Sequence, residues 1–391
     1  MELIDVATRD DGILGLRRNV VRTFQYASLP LHELVPGVAT LVQPEKSYRI
    51  EPQILNSKRS SVLLEKFSKE WNGSISPAGE RALISNAKVI GAGVVTIDDK
   101  WIVEESFTNL WHVRRRDFFT KVADSELYFS TLDPHLRLAT VEGRTILLKQ
   151  AWDTNYGHWL IDSFSRLAME QDLSTGSTKI LLRANVSDAM KRVFIDSLRL
   201  LGIEEDSIVW SSSYPTLIKE AIYLSPITRA PLVKSTRALE FLEGLVDRAK
   251  TLGGKSHAKN GKVFLRRSGY GRRELIGEGD LVERLEEYGY VAIHPEKMSL
   301  FDQIVTFFDS THVVGVMGAS FSNLVFSTEG VQAFLLAPES MWDDYFYDII
   351  CHKKGSYFSY HAQDGSGIGD NFRLDLDDVM VALREAGFIG G

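Results

Sequence analysis

The chain has 391 residues, which at the ~150 residues of a typical domain gives two to three domains, each large enough to bury its own core. Its 44% hydrophobic, 25% charged and 10% aromatic residues exclude a disordered, fibrous or collagen-like protein. The balance of 45 Lys and Arg against 52 Asp and Glu leaves −7, too acidic for a general binder of nucleic acid polymers.

The start, Met1-Glu2-Leu3-Ile4-Asp5, has neither the basic residues nor the apolar core of a signal peptide. No uninterrupted apolar run approaches the ~18–20 residues that span a bilayer. A lone cysteine, Cys351, cannot form an internal disulfide and suits a reducing compartment. The expectation is a cytoplasmic protein, with peripheral contact at the inner face of a membrane still allowed.

The first 140 residues hold short apolar runs, Gly93-Val94-Val95-Thr96-Ile97 and Trp101-Ile102-Val103, between turn residues and charges. They predict mixed strands and loops. Arg114-Arg115-Arg116, flanked by Trp111 and Phe118, reads as a plain surface run, with an anionic acceptor or lipid head groups as the alternative partner. From Arg144 the pattern sharpens. A strand is predicted over 145–148, a loop through Asp153, a helix over 158–171, a strand over 179–182, a helix over 187–201 ended by Gly202, and a strand over 207–210. Such alternation indicates a parallel sheet covered on both faces.

Pro226, Thr228 and Pro231 mark a linker between Tyr223 and Val233. The alternation then restarts: helix 235–250, strand 262–265, helix 280–288, strand 290–293, helix 300–308 and strand 312–316. A turn at Gly318 leads to a short helix, then come strand 333–336, a helix after Met341 and a last helix over 376–386. This is a doubly wound α/β pattern. The division that follows is an N-terminal α/β domain over 1–225, a Rossmann-like domain over 226–372 and a terminal helix within 373–391. Ligands of open parallel sheets bind beyond the carboxyl ends of strands, so chemistry is sought at strand-to-helix turns.

Three such places carry candidate groups. His158, Asp162 and Arg166, spaced i, i+4 and i+8, stack an imidazole, a carboxylate and a guanidinium on one face of the predicted helix; a simple Asp-to-Arg surface pair is the alternative. As metal ligands His158 and Asp162 lack a third partner. Next, Gly315-Val316-Met317-Gly318-Ala319-Ser320-Phe321-Ser322-Asn323 brings small residues and backbone N–H groups to a helix start, which suits a phosphate or simply close strand–helix packing. Last, Arg266, Arg267, Arg272 and Arg273, with Gly269 and Gly271 between, follow a strand as partners for a pyrophosphate or as a solvated basic loop. Asp375-Leu376-Asp377 spells a metal–nucleotide motif of some transferases, but its place reads as a helix cap. Ser163 lacks the setting of a nucleophile elbow.

Asn155-Tyr156-Gly157-His158-Trp159-Leu160-Ile161-Asp162, followed by Arg166, resembles the Asn-x-x-His-Trp-x-x-Asp signature of glycosyltransferase family 61, seen also in capsular polysaccharide biosynthesis proteins. Farther on, the arginines at 266–273, Pro295-Glu296 before Leu300 and Gln303 agree with that family, and Gly318-Ala319 with Asn323 and Phe326 resembles its His-Gly-Ala-Gly-x-x-Asn-x-x-Phe. The resemblance covers about 144–338. It implies a GT-B-like α/β fold, two facing Rossmann-like doubly wound domains, here with an extra N-terminal α/β region.

It also implies an inverting transferase with no obligatory metal cofactor, a nucleotide-sugar donor, expected to be a UDP-sugar, and a glycan or lipid-linked glycan acceptor such as a surface polysaccharide. Inversion needs a base for the acceptor hydroxyl and neutralisation of the leaving diphosphate. On this resemblance Asp162 is the expected base with His158 as alternate or orienting partner. Arg267 and Arg273 are expected on the pyrophosphate, with Gly318, Ala319, Ser320 and Asn323 at the donor turn. Asn155, Trp159, Arg166 and Gln303 complete the expected substrate site. Where the family has His and a second Gly, this chain has Met317 and Ser320, and Gly277-Glu278 replaces Asn-Glu. A thioether cannot donate a hydrogen bond, so the alternative is a weak or inactive nucleotide- or sugar-binding protein on the same fold.

Overall fold

Lys262–Leu265, His312–Val316 and Gln332–Ala337 are short runs in which every residue but the first is buried, as in strands covered on both faces. In the computed structural model of this protein they form the centre of a six-stranded, wholly parallel sheet. Its order is Val291–Ile293, Lys262–Leu265, His312–Val316, Gln332–Ala337, Ser356–His361 and Gln53–Leu55. Numbered from Lys262–Leu265 along the chain, the first five strands run 2-1-3-4-5, so the winding reverses between Lys262–Leu265 and His312–Val316. The structure describes residues 22–46, 48–56, 64–65, 74–107, 115–116, 119–121, 127–132, 138–171, 173, 178–229, 233–267, 269, 271–341 and 344–390.

A second, twelve-stranded sheet has a parallel part, Ile208–Ser211, Lys179–Arg183, Ala139–Leu147 and Thr216–Leu224 in that order. Here the winding reverses between Ala139–Leu147 and Thr216–Leu224. Beyond them Gly79–Ile90 pairs antiparallel with Thr216–Leu224, followed by Val94–Ile97 and Trp101–Val103, also antiparallel. The expected sheet of purely parallel character is thus limited to four strands, and the expected N-terminal α/β region is mostly strand. The cause is local: tight turns with Gly91, Gly93, Asp98 and Asp99 at positive φ let successive strands fold straight back as hairpins. Of the arginine run, Arg115–Arg116 is an edge strand, while Arg114, Trp111 and Phe118 lie outside the described residues. Met1-Glu2-Leu3-Ile4-Asp5 and Pro231 lie outside them too.

The helices follow their caps. Ser187 and Ser299 accept backbone N–H groups at the starts of Asp188–Arg199 and Leu300–Phe308, and Asp375 caps Leu376–Glu385. The helix predicted over 235–250 is two, Thr236–Glu243 and Val246–Thr251, interrupted at Gly244. The helix predicted over 158–171 differs more. It is an α-turn Tyr156–His158, a π-turn Trp159–Ser163 and a 3-10 stretch Phe164–Met169. Every residue from Trp159 to Met169 is buried, so packing on all sides, not one amphipathic face, sets its path.

One apolar cluster joins the two sheets, running from Ile146, Trp159 and Phe164 to Val263, Val313 and Phe321. The two crossover points are therefore fixed against each other by a common core. Among the described residues no helix is long and apolar enough to cross a membrane.

Candidate functional site

The first group of side chains gathers at the crossover of the larger sheet. The loop after Ala139–Leu147 ends at Asn155, whose Oδ1 accepts the N–H groups of Gly157 and His158 and starts the turn that carries the imidazole. Four residues on, Asp162 Oδ2 meets His158 Nδ1 at 2.7 Å. From beyond the neighbouring strand Thr228 Oγ1 donates to Asp162 Oδ1 at 2.5 Å, and Tyr345 Oη donates to Oδ2 at 3.1 Å.

Asp162 is 2% exposed. Burial works to raise its pKa, but the hydrogen bonds from His158 and Thr228 and the nearby Lys234 ammonium outweigh it and hold the carboxyl below its usual value. An ionised carboxylate only accepts, so His158 Nδ1 carries the proton of this bond, and in the neutral imidazole Nε2 keeps a lone pair. The His158 side chain is 22% exposed. Its ring sits between Trp152, at 5.0 Å, and Tyr345, at 5.1 Å, while Lys234 Nζ lies 4.2 Å from the Tyr345 ring. Asp162, expected as the base, thus has both oxygens engaged in the interior, and the imidazole is the partner that reaches solvent.

Trp152 holds its indole in an unusual way. Its φ is +65°, a left-handed conformation that costs a bulky residue about 1 kcal/mol or more. The buried Asp153 steadies that turn through Arg183 Nε at 2.5 Å and the Gln150 N–H at 3.2 Å.

The second group lies at the crossover of the smaller sheet. A cleft of about 860 Å3 opens beyond the carboxyl ends of Lys262–Leu265 and His312–Val316, where the reversal of winding parts the loops. Its lining includes Arg266, Arg267 and Arg273 from the glycine-rich loop, Ala319 and Ser320 from the turn after His312–Val316, and Gln303. Arg192 and Asp196 come from Asp188–Arg199 of the other sheet, and Asn155 and Tyr156 from the His158 turn. Among the described residues of the lining, five cations, Arg192, Arg266, Arg267, Arg273 and Lys297, face two carboxylates, Asp196 and Glu296.

The arginine loop is braced from within. Glu278, 5% exposed, accepts Arg267 N–H at 2.7 Å and Arg266 Nε at 3.2 Å, and Glu274 Oε1 accepts the N–H groups of Gly269 and Gly271 at 2.7 Å. Arg273 donates to Met341 Sδ at 3.4 Å from a backbone with φ +56°. Gly318 is extended and lies under the Arg267 guanidinium: an added Cβ would be 2.3 Å from Arg267 Nη1. Gly157 is equally close to the other sheet's elements, a Cβ there meeting Ser322 Oγ at 2.5 Å.

Four expected site residues are held by bonds and packing within the protein. Trp159 is fully buried, donates Nε1–H to Ser197 Oγ at 3.0 Å and packs on Phe194 at 4.1 Å. Arg166 does not pair with Asp162. The π-turn sends it to the strand ends, where it donates to the Leu148 and Leu224 carbonyls at 2.7 and 2.9 Å. Asn323 is buried as well; it accepts from Tyr156 Oη at 2.5 Å and donates to Gln303 Oε1 at 3.0 Å, tying the His158 turn to Leu300–Phe308. Gln303 lines the cleft but spends its oxygen on that bond. Met317 points into the shared core and takes no part in the lining.

Thr228, Tyr345, Lys234 and Trp152 were not singled out by sequence reasoning, because each reaches His158 or Asp162 through the fold and carries no local motif. Asp375 is a cap, accepting from the Asp377 and Asp378 N–H groups. Among the described residues His32, Glu80 and Glu105 offer ligand atoms within 4.8 Å of one another, but Glu105 already accepts the Leu31 N–H at 3.0 Å and none of the three lines the cleft.

Residues 156–334 match the family described as Glycosyltransferase 61, within the stretch that carries the sequence resemblance. The match is a likeness to that family over this part of the chain. No curated protein matches the chain.

Proposed function

We propose that the protein is an inverting glycosyltransferase that moves a sugar from a nucleoside diphosphate-sugar, of which a UDP-sugar is the expected case, to a glycan or lipid-linked glycan acceptor. The observation that carries this reading is the cleft with five cations against two carboxylates, built at the crossover of a parallel sheet. Such a surplus of guanidinium suits a diphosphate, whose charge grows as it leaves. Arg266, Arg267 and Arg273 would take the phosphate oxygens, joined by the backbone N–H groups near Ala319 and Ser320. These cations supply the neutralisation for which other transferases use a divalent ion, so the reaction is read as metal-independent.

His158 is the base in this reading and Asp162 its orienting partner. The acceptor oxygen attacks the anomeric carbon, its proton passes to His158 Nε2, and the bond to the diphosphate oxygen breaks with its electron pair going to the leaving group. Asp162 stabilises the imidazolium that forms. The GT-B arrangement, with an N-terminal acceptor side over 1–225 and a donor side over 226–372, belongs to the same proposal, as do a surface polysaccharide as product and a cytoplasmic location at the membrane's inner face.

The inward-pointing Met317 favours one competing reading, a nucleotide-sugar-binding protein without turnover, since no side chain from that position helps the leaving group. The deciding experiment incubates the protein with UDP-sugars in the presence of a chelator. Release of UDP, faster with a glycan acceptor, is expected. Tight UDP binding with no release would leave the binding protein as the better account, and neither binding nor release would refute both.

A further inference from the structure

Trp152 is unusual in backbone and side chain together. It adopts φ +65° and is 38% exposed, although the residues on either side, Ala151 and Asp153, are buried. The turn that presents it is clamped: Arg183 Nη2 donates to the Gln150 carbonyl at 2.9 Å, Asp153 accepts the Gln150 N–H, and Asn155 N–H donates to the Trp152 carbonyl at 2.8 Å. Single exposed apolar residues are ordinary on a surface. A large one held in a left-handed backbone by a buried ion pair is not, and strain of this kind collects where a side chain must be aimed.

The aim is toward the candidate base. The indole lies 5.0 Å from the His158 ring with the planes at 50°, and the residues that follow it, Thr154, Asn155 and Tyr156, line the cleft. Trp152 and His158 stand beside the cleft and are not in its lining, whose cations come largely from the smaller sheet. An aromatic face combines apolar area with a partial negative charge. Its complement is a sugar ring seen from the side where axial C–H bonds line up.

We propose that Trp152 is the stacking platform of the acceptor, a pyranose whose C–H face lies on the indole with one hydroxyl turned toward His158 Nε2. The proposal rests on the transferase reading of the same site and adds the class of acceptor residue and the side chain that selects it.

The test screens the intact protein on an immobilised array of pyranosides without nucleotide, so that neither chemistry nor the role of the imidazole as base enters the readout. Trp152→Gly suits the left-handed backbone and should keep or raise Tm, yet lose at least tenfold in affinity for the pyranosides that the parent retains. Trp152→Tyr, which keeps a ring, should retain most of it. Should the glycine variant fail to fold, Trp152→Asn, also at home at positive φ, gives the same reading. UDP binding by calorimetry should match the parent in each. A glycine or asparagine variant that holds the same glycans as tightly as the parent overturns the proposal, and so does a parent that holds none. If the parent holds glycans through Trp152 but neither binds UDP nor turns over UDP-sugars, the platform stands as a glycan site and the transferase reading alone falls.

Discussion

Gly318 and Arg267 share one small volume: a methyl group on residue 318 would stand 2.3 Å from Arg267 Nη1. Because Gly318 is extended, alanine suits its backbone, and the clash falls on the far end of a flexible side chain. Gly318→Ala should therefore leave Tm nearly unchanged while swinging the guanidinium off its place in the cleft. UDP affinity should fall about tenfold, the ~1.4 kcal/mol of one charge-assisted contact. Titration calorimetry on both proteins checks it; equal affinities would remove Arg267 from the diphosphate site.

The His158–Asp162 pair divides exposure from charge, and its two variants should separate accordingly. His158→Ala should lower sugar transfer by about 10²- to 10⁴-fold with UDP affinity near that of the parent. Asp162→Asn should also lower transfer, and in addition reduce Tm, since it removes a buried carboxylate that faces Thr228, Tyr345 and Lys234. Full transfer activity in His158→Ala would sink the base assignment, and in Asp162→Asn the role of its orienting partner.

Gly157 and Ser322 hold the two sheets' elements in contact, and a double-mutant cycle should expose this. Gly157→Ala drives a Cβ to 2.5 Å from Ser322 Oγ and should cost about 1–3 kcal/mol. Ser322 Oγ is buried with no hydrogen-bond partner among the described residues, so Ser322→Ala alone should cost little. The double variant should regain much of the loss. Strict additivity in chemical denaturation would show that the contact is not where the cost arises.

Stability should decline as pH drops through the histidine range. His361 is 2% exposed with Nε2 2.6 Å from Ser359 Oγ, and burial holds its pKa below the ordinary value, as it does for His312. The unfolded chain takes up a proton near pH ~6.5 while the folded one resists, so this stabilisation is complete above that pH and is lost as pH falls through the lower folded value. One such group contributes a slope of at most ~1.4 kcal/mol per pH unit. His361→Gln should flatten the stability profile below about pH 6.5. Asp162 and Glu243, both held below usual carboxylate values, act only in the more acidic range. A profile unaltered by His361→Gln would contradict the sign.

Much of the smaller sheet was legible because strands buried on both faces read as unbroken apolar runs, as in Val263-Phe264-Leu265 and His312–Val316, and Ser299 marks the start of the following helix. The arginine loop and the Gly318 turn were found for the same reason: they follow those strands. Thr216–Leu224 was missed beside the supposed linker, and Gly79–Ile90 was missed since its mixed burial resembles neither a helix nor a clean alternation. His158 and Asp162 were picked out at the spacing that brings them together, but the surroundings of the carboxylate come from Thr228 and Tyr345, 66 and 183 residues from Asp162. Arg166 was read one face too far because a regular helix was assumed where a π-turn follows.

The three-residue strand Gln53–Leu55 sits beside Ser356–His361, and Asn56 and His361, 305 positions apart, are hydrogen-bonded. On the ribosome that segment must therefore wait, unpaired, until Ser356–His361 has been made, some 305 positions later. Contacts closing so long a loop form late and slowly, so the smaller sheet is the last part to be sealed. Cutting away the early residues to isolate the smaller sheet would leave Ser356–His361 as a raw edge, open to pairing with the same edge of another molecule.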